Sequence, residues 1–192
     1  MVIGVDLKTE IVGLFAEDIT SFLSILQISK KLNKAYPYIH KVVSKFLEEE
    51  ILKKTTIGNA HLCTINLHNE ETIILLSLYE LQKKKQLLKT QPTLNEKLKL
   101  ISEIKKEVPI QTALYSNKKI ILVTNNQFYK KTLDRELTKD FVVYTKEEFQ
   151  EQLLSDSSII HAHTLLYQYE KYYETVGEIE QELKIKYSLL AN

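Results

Sequence analysis

The residues best suited to chemistry lie between Lys30 and Lys54. Within the stretch YPYIHKVVSKFL, Ile39, Val42, Val43, Phe46 and Leu47 recur at helical spacing. That period leaves Tyr38, Lys41, Ser44, Lys45 and Glu48 on the other side, with His40 at the flank. Tyr36, Tyr38, His40, Lys41, Ser44 and Lys45 together offer ammonium groups for phosphates and hydroxyl or imidazole groups for base edges. From Lys30 to Lys54 seven lysines stand against three glutamates, a local excess of four positive charges in a chain whose net charge is only +1. The glutamates, Glu48 to Glu50, close the far end of the helix, away from approaching phosphates. Any case for nucleic-acid binding rests on this local charge, because the whole-chain balance gives none.

Other groups promise less. Asp134, Glu136 and Asp140 are the carboxylates a magnesium-dependent phosphoryl transferase would recruit. His68, His161 and His163 form no i, i+4 pair and have no cysteine or carboxylate cluster at ligand spacing, so no metal is expected. Asp156, Ser157 and His161 are near one another in sequence but lack a nucleophile elbow. The glycines, Gly4, Gly13, Gly58 and Gly177, are too scattered for a phosphate-cradling loop. Cys63 reads as a small core residue. No catalytic residue and no cofactor is expected.

The elements that must position the lysine-bearing face can be read in order. Lys8–Ala16 is a first helix with Thr9 or Asp6 as its cap, and Ser21 or Ser24 caps a second helix ending at Leu32. Asn33-Lys34-Ala35 makes a turn, and Pro37 falls in the first turn of the next helix, where a missing N–H does no harm. That helix covers 36–50. Residues 53–66 alternate as strands about an Ile57-Gly58-Asn59 turn, so Lys53, Lys54, Asn59 and His61 would ride on a hairpin. Helix, turn, helix and hairpin is the order of a winged helix-turn-helix, in which the second helix enters the major groove and the wing lies on the backbone.

Beyond Asn69 an imperfect helical stripe runs from Glu70 to Lys89, and Gln91-Pro92-Thr93 separates it from a second helix reaching Val108. Ile110–Tyr115, Ile120–Thr124 and Phe141–Tyr144 read as strands, with helices at Gln127–Leu137 and Lys146–Leu154, the latter capped by Thr145. A tyrosine-rich run, LLYQYEKYYETV, precedes a last helix from Glu178 to Leu190. The expected fold class is α+β: a DNA-binding module at 1–69, a helical connector at 70–108 and a small α/β domain at 109–192. With 44% apolar residues the chain can bury a core; its single cysteine excludes an internal disulfide. The absence of a long apolar run and of a signal-peptide pattern predicts a cytoplasmic protein with no membrane partner.

The run YIHKVVSKFLEEEIL resembles the recognition helix of archaeal and bacterial winged-helix regulators, roughly T-V-S-R-x-L-x-x-L-x-x-x-G-L-I. Tyr38, Ile39, His40 and Lys41 stand at the first four positions, Val43 and Phe46 at the leucines, and Ile51 and Leu52 at the closing pair; Glu50 replaces the usual glycine. IGNAHLCTINLHNE is similar to the wing of an archaeal group that joins such a module to a nucleotidyltransferase-like domain, and TKEEFQEQLL and LLYQYEKYYE resemble the closing part of that domain. In ALYSNKKIILVTNN, Ser116 matches the family's serine, but Tyr115 replaces its glycine, and Lys118 and Ile120 stand where paired aspartates hold the metals. The resemblance implies a transferase-like scaffold without activity, serving dimerisation or ligand sensing. The expectation is therefore a transcriptional regulator binding double-stranded DNA as a homodimer through Tyr36, Tyr38, His40, Lys41, Ser44, Lys45, Lys54, Asn59 and His61. Glu70–Lys89 and the tyrosine-rich run are the candidate interfaces between copies. Two other readings stay open: a nucleotidyltransferase with rearranged ligands, and a winged-helix adaptor that docks a protein.

Overall fold

The computed structural model describes residues 6–188. It is α+β, with ten helices and two small sheets among the described residues. The chain forms two compact units, one comprising Met1–Tyr79 and Glu180–Asn192, the other Glu80–Ile179.

The first unit begins with α1 (Leu7–Glu17), α2 (Ile25–Leu32) and α3 (Tyr36–Glu48), followed by a hairpin of β1 (Leu52–Ile57) and β2 (Ala60–Ile65). Asp6 is the N-cap residue of α1, although its side chain makes no capping bond. Ser24 and Gln27 form a reciprocal capping box at the start of α2, and Asn33 ends that helix in the left-handed region at φ 51°. Ile11, Val12 and Phe15 of α1, Ile28 of α2, and Ile39, Val43 and Phe46 of α3 are fully buried. Those side chains fix how each helix is rotated. The hairpin closes through Gly58, whose φ of +57° a side chain would resist. Its inner strand is tied back by a single bridge between Leu23 and Cys63, in the polar connection between α1 and α2.

Where sequence predicts a helix to residue 50, α3 stops at Glu48 and the chain reverses. Glu50 takes φ 55°, the Ile51 N–H donates to the Phe46 carbonyl at 2.9 Å, and Ile51 and Phe46 are both fully buried. This is a Schellman ending with a glutamate in the place usually given to glycine. Asn66 Nδ2 and Asn69 Nδ2 donate to the Glu50 and Glu49 carbonyls at 2.7 and 3.0 Å, so the open end of α3 is strapped by the segment after the hairpin. Asn66 lies outside the strand, which ends at Ile65, and the expected alternation is not seen: Cys63, Thr64, Ile65, Asn66 and Leu67 are all buried.

α4 (Glu70–Thr90) follows, and the division between the units falls within it. In the first unit α4 approaches α1 closely: a Cβ at Gly13 would lie 2.4 Å from the Tyr79 ring.

The second unit continues with α5 (Leu94–Ile104), β3 (Ile110–Ser116), β4 (Lys119–Thr124), α6 (Gln127–Glu136), β5 (Phe141–Thr145), α7 (Lys146–Ser155), α8 (Ser158–His161), β6 (His163–Tyr167) and α9 (Tyr169–Glu178). The sheet order is β5-β4-β3-β6, with β4 and β5 parallel across α6 and the other pairs antiparallel. Ile120 and Leu122 of β4 share a core with Leu94 and Ile101 of α5 and Leu133 of α6. Ile121 and Val123 alternate to the other face and are buried too, as a strand covered on both sides requires. Thr145 and Glu148 form the expected capping box of α7.

Three expectations change here. The second helix after Pro92 ends at Ile104 rather than Val108, turns filling the remainder. The tyrosine-rich run is split into β6 and α9, with Tyr172 and Tyr173 inside the unit, so those rings are not available to a second copy. The last helix begins again at Glu180 as α10 (Glu180–Ser188), and Leu190 lies outside the described residues. Glu80 and Lys84, one turn apart on α4, pin β6: Glu80 Oε2 accepts from the Leu165 N–H at 3.0 Å, and Lys84 Nζ donates to the Leu166 carbonyl at 2.5 Å. An edge strand is thereby satisfied by side chains of a helix.

Candidate nucleic-acid interface

Burial of Ile39, Val43 and Phe46 turns the rest of α3 outward. Tyr36 and Tyr38 are 44% and 55% exposed; His40, Lys41 and Lys45 are exposed and Ser44 is half-buried. Tyr36, His40 and Ser44 follow one another at i, i+4 and i+8 and form a row. The Tyr36 and His40 ring centroids are 5.8 Å apart, and Ser44 Oγ lies 3.4 Å from His40 Nδ1. On the hairpin, His61 Nδ1 lies 3.2 Å from Thr56 Oγ1, and Lys54 and His61 are exposed.

The α3 row and the hairpin are two walls of one cleft of about 410 Å³. Of the nine residues singled out by sequence, Tyr36, His40, Ser44, Lys54 and His61 line it; Tyr38, Lys41, Lys45 and Asn59 do not. Sequence reasoning missed the α2 side, where Ser24, Ile25 and Leu26 also line the cleft and Leu26 is 51% exposed; Leu47, Leu62 and Cys63 make up the rest. The available signal was the Ser24 cap, which fixes the register of α2 and so sends Leu26 away from Ile28. Cys63 is at the cleft but buried. Desolvation raises its thiol pKa, against the lowering pull of Lys54, so it is held as a thiol.

The lysines are not equivalent. Lys34 pairs with Glu10 at 3.1 Å and Lys45 with Glu49 at 3.2 Å, which spends part of their charge inside the protein. Lys30, Lys41 and Lys54 have no carboxylate partner among the described residues and stay available to an external anion.

The carboxylates proposed for metal-dependent transfer do not converge. Asp134 and Glu136 are exposed on α6, whereas Asp140, ahead of β5, pairs with Lys97 at 2.9 Å. The hydrogen bond and charge of Lys97 lower the Asp140 pKa. Among the described residues no three His, Cys, Asp or Glu side chains are placed to share a metal ion. Asn117 and Lys118 form a two-residue turn with φ of 51° and 62°, joining β3 directly to β4. Ser116 Oγ is turned inward, donating to the Ala162 carbonyl at 3.1 Å. A second hollow, of about 290 Å³, holds Lys146 paired with Glu178 and Lys171 paired with Glu174, each at 2.6 Å. Its charges satisfy one another. His163 is buried with Nδ1 3.0 Å from the Ile160 carbonyl; burial, then the charge of Lys83, lowers its pKa to about 3.

No protein-family model, curated protein or solved structure matches this chain. No helix among the described residues is long and apolar enough to cross a membrane.

Proposed function

We propose that the first unit is a winged helix-turn-helix that binds double-stranded DNA, and that the protein is a transcriptional regulator. In this reading α3 is the recognition helix and the β1–β2 hairpin the wing. The observation that carries it is the α3 row of Tyr36, His40 and Ser44 meeting Lys54 and His61 of the hairpin around one cleft, with Lys41 exposed on the same helix. An α-helix fits the major groove, hydroxyl and imidazole groups can read base edges there, and ammonium groups hold phosphates without regard to sequence. Lys41 and Lys54 supply phosphate contacts; Tyr38, His40 and Ser44 supply base contacts; Tyr36, Lys45, Asn59 and His61 flank them.

The second unit is a nucleotidyltransferase-like scaffold without catalytic function. What supports this is the tight Asn117-Lys118 turn where a phosphate-binding loop would be required, together with the dispersed carboxylates. Two-metal transfer needs carboxylates that converge on the cations.

The test is fluorescence anisotropy with a labelled random duplex at several salt concentrations. Lys41→Ala combined with Lys54→Ala should weaken binding about equally for all sequences and reduce the slope of log K against log salt by about 1.8, two phosphate contacts at roughly 0.9 each. An unchanged slope would remove α3 and the hairpin from the interface.

A further inference from the structure

We propose that the outward face of α4 is a homodimer interface on which two copies of the chain pair antiparallel, about a two-fold axis near Leu78. Within α4, Thr72, Leu76 and Glu80 are fully buried, which fixes the helix's inner face. Glu71, Ile74, Leu78, Leu81 and Lys85 follow one another at i, i+3, i+7, i+10 and i+14 and make the opposite stripe. Ile74 and Leu78 are 55% and 46% exposed, Glu71 and Lys85 are exposed, and Leu81 is half-buried. Glu71 and Lys85 form no ion pair among the described residues.

The order of charge selects the occupant. The stripe is acidic at one end, apolar in the middle and basic at the other. An acidic or a basic partner would suit one end only. A second copy of the same helix running parallel would set Glu71 on Glu71 and Lys85 on Lys85. Running antiparallel, it lays Leu78 on Leu78, Ile74 near Leu81, and Glu71 against Lys85 at both ends. This arrangement is isologous and closed. The stripe is about 21 Å long, fourteen steps of 1.5 Å, so the buried area falls below the roughly 800 Å² per partner of a standard interface. The dimer is accordingly concentration-dependent, dissociating in the micromolar range.

Sedimentation equilibrium of the full chain, without DNA, tests this separately from the DNA-binding proposal. From about 1 to 200 µM the mass should rise from one chain toward two. Leu78→Glu should hold it at one chain, with the circular dichroism spectrum retained because the position is exposed. Glu71→Lys alone and Lys85→Glu alone should each weaken the dimer about tenfold or more, since each puts like charges together at both ends. The two changes in one chain should restore it to within about threefold of the original. The exchange decides the matter even if Leu78→Glu fails to fold. A native chain that is monomeric throughout, a dimer indifferent to Leu78→Glu, or a double variant no better than the single ones would overturn the proposal.

Discussion

His163 shows how one buried side chain ties stability to pH. Its ring lies 4.9 Å from that of Tyr172 and is cut off from water, and burial holds its pKa at about 3. In the unfolded chain a histidine titrates near 6.5, so between those values the unfolded state takes up a proton that the folded state refuses. The folded state is therefore penalised as pH falls below about 6.5, and the penalty keeps growing until about pH 3. Relative to a His163→Gln variant, the native chain should lose about 2 kcal/mol of unfolding free energy between pH 7.5 and pH 5, at close to 1.4 kcal/mol per unit once below 6.5. The window lies above the range in which Asp140, Glu148 and Glu178 titrate: Lys97 and Lys146 lower the pKa of Asp140 and Glu178, and at Glu148 desolvation, which raises it, is outweighed by hydrogen bonds from Lys130, Thr145 and Gln127. Parallel urea-unfolding series for the two proteins check this; curves that run parallel over the whole range would mean that His163 takes up its proton in the folded chain at the same pH as in the unfolded one.

At the scale of elements, the end of α3 sets the angle at which the hairpin leaves. Glu50 holds a left-handed conformation that costs a residue with a Cβ about 1 kcal/mol or more, and the straps from Asn66 and Asn69 keep it there. Glu50→Gly should raise the unfolding free energy by about 0.5–1 kcal/mol, the relief of strain outweighing the greater freedom of glycine in the unfolded chain. A lower urea midpoint would show that the Glu50 side chain contributes something its backbone does not. The same element shows what could be read without the fold. The apolar row Ile39–Val43–Phe46, the Ser24 and Thr145 caps and the Gly58 turn are local signals, and each specifies its element by itself. The Leu23–Cys63 bridge, the capture of Leu165 by Glu80, and the split of the tyrosine-rich run depend on partners tens of residues away. Leu165 and Leu166 have no alternation of their own; their strand exists because β3 pairs with it. Of the candidate interface, the α3 face was legible because helical period alone decides which side chains share a side. The α2 wall was not, since its place opposite α3 is a tertiary fact.

At the scale of the whole chain, net charge is a poor guide. A balance of +1 conceals lysines already paired, such as Lys34, Lys97 and Lys146, and others left open, such as Lys41 and Lys54. In our account, the open ones, on α3 and the hairpin, define where the molecule meets DNA, and the stripe along α4 defines where it meets its copy. Mapping of backbone amide shifts in the isotope-labelled protein during titration with duplex DNA tests the central claim most directly. Tyr36 to Lys45 and Lys53 to His61 should show the largest changes, with the amides of β3, β4 and β5 unmoved. Changes centred on the second unit, or none in α3 at saturating DNA, would contradict the account.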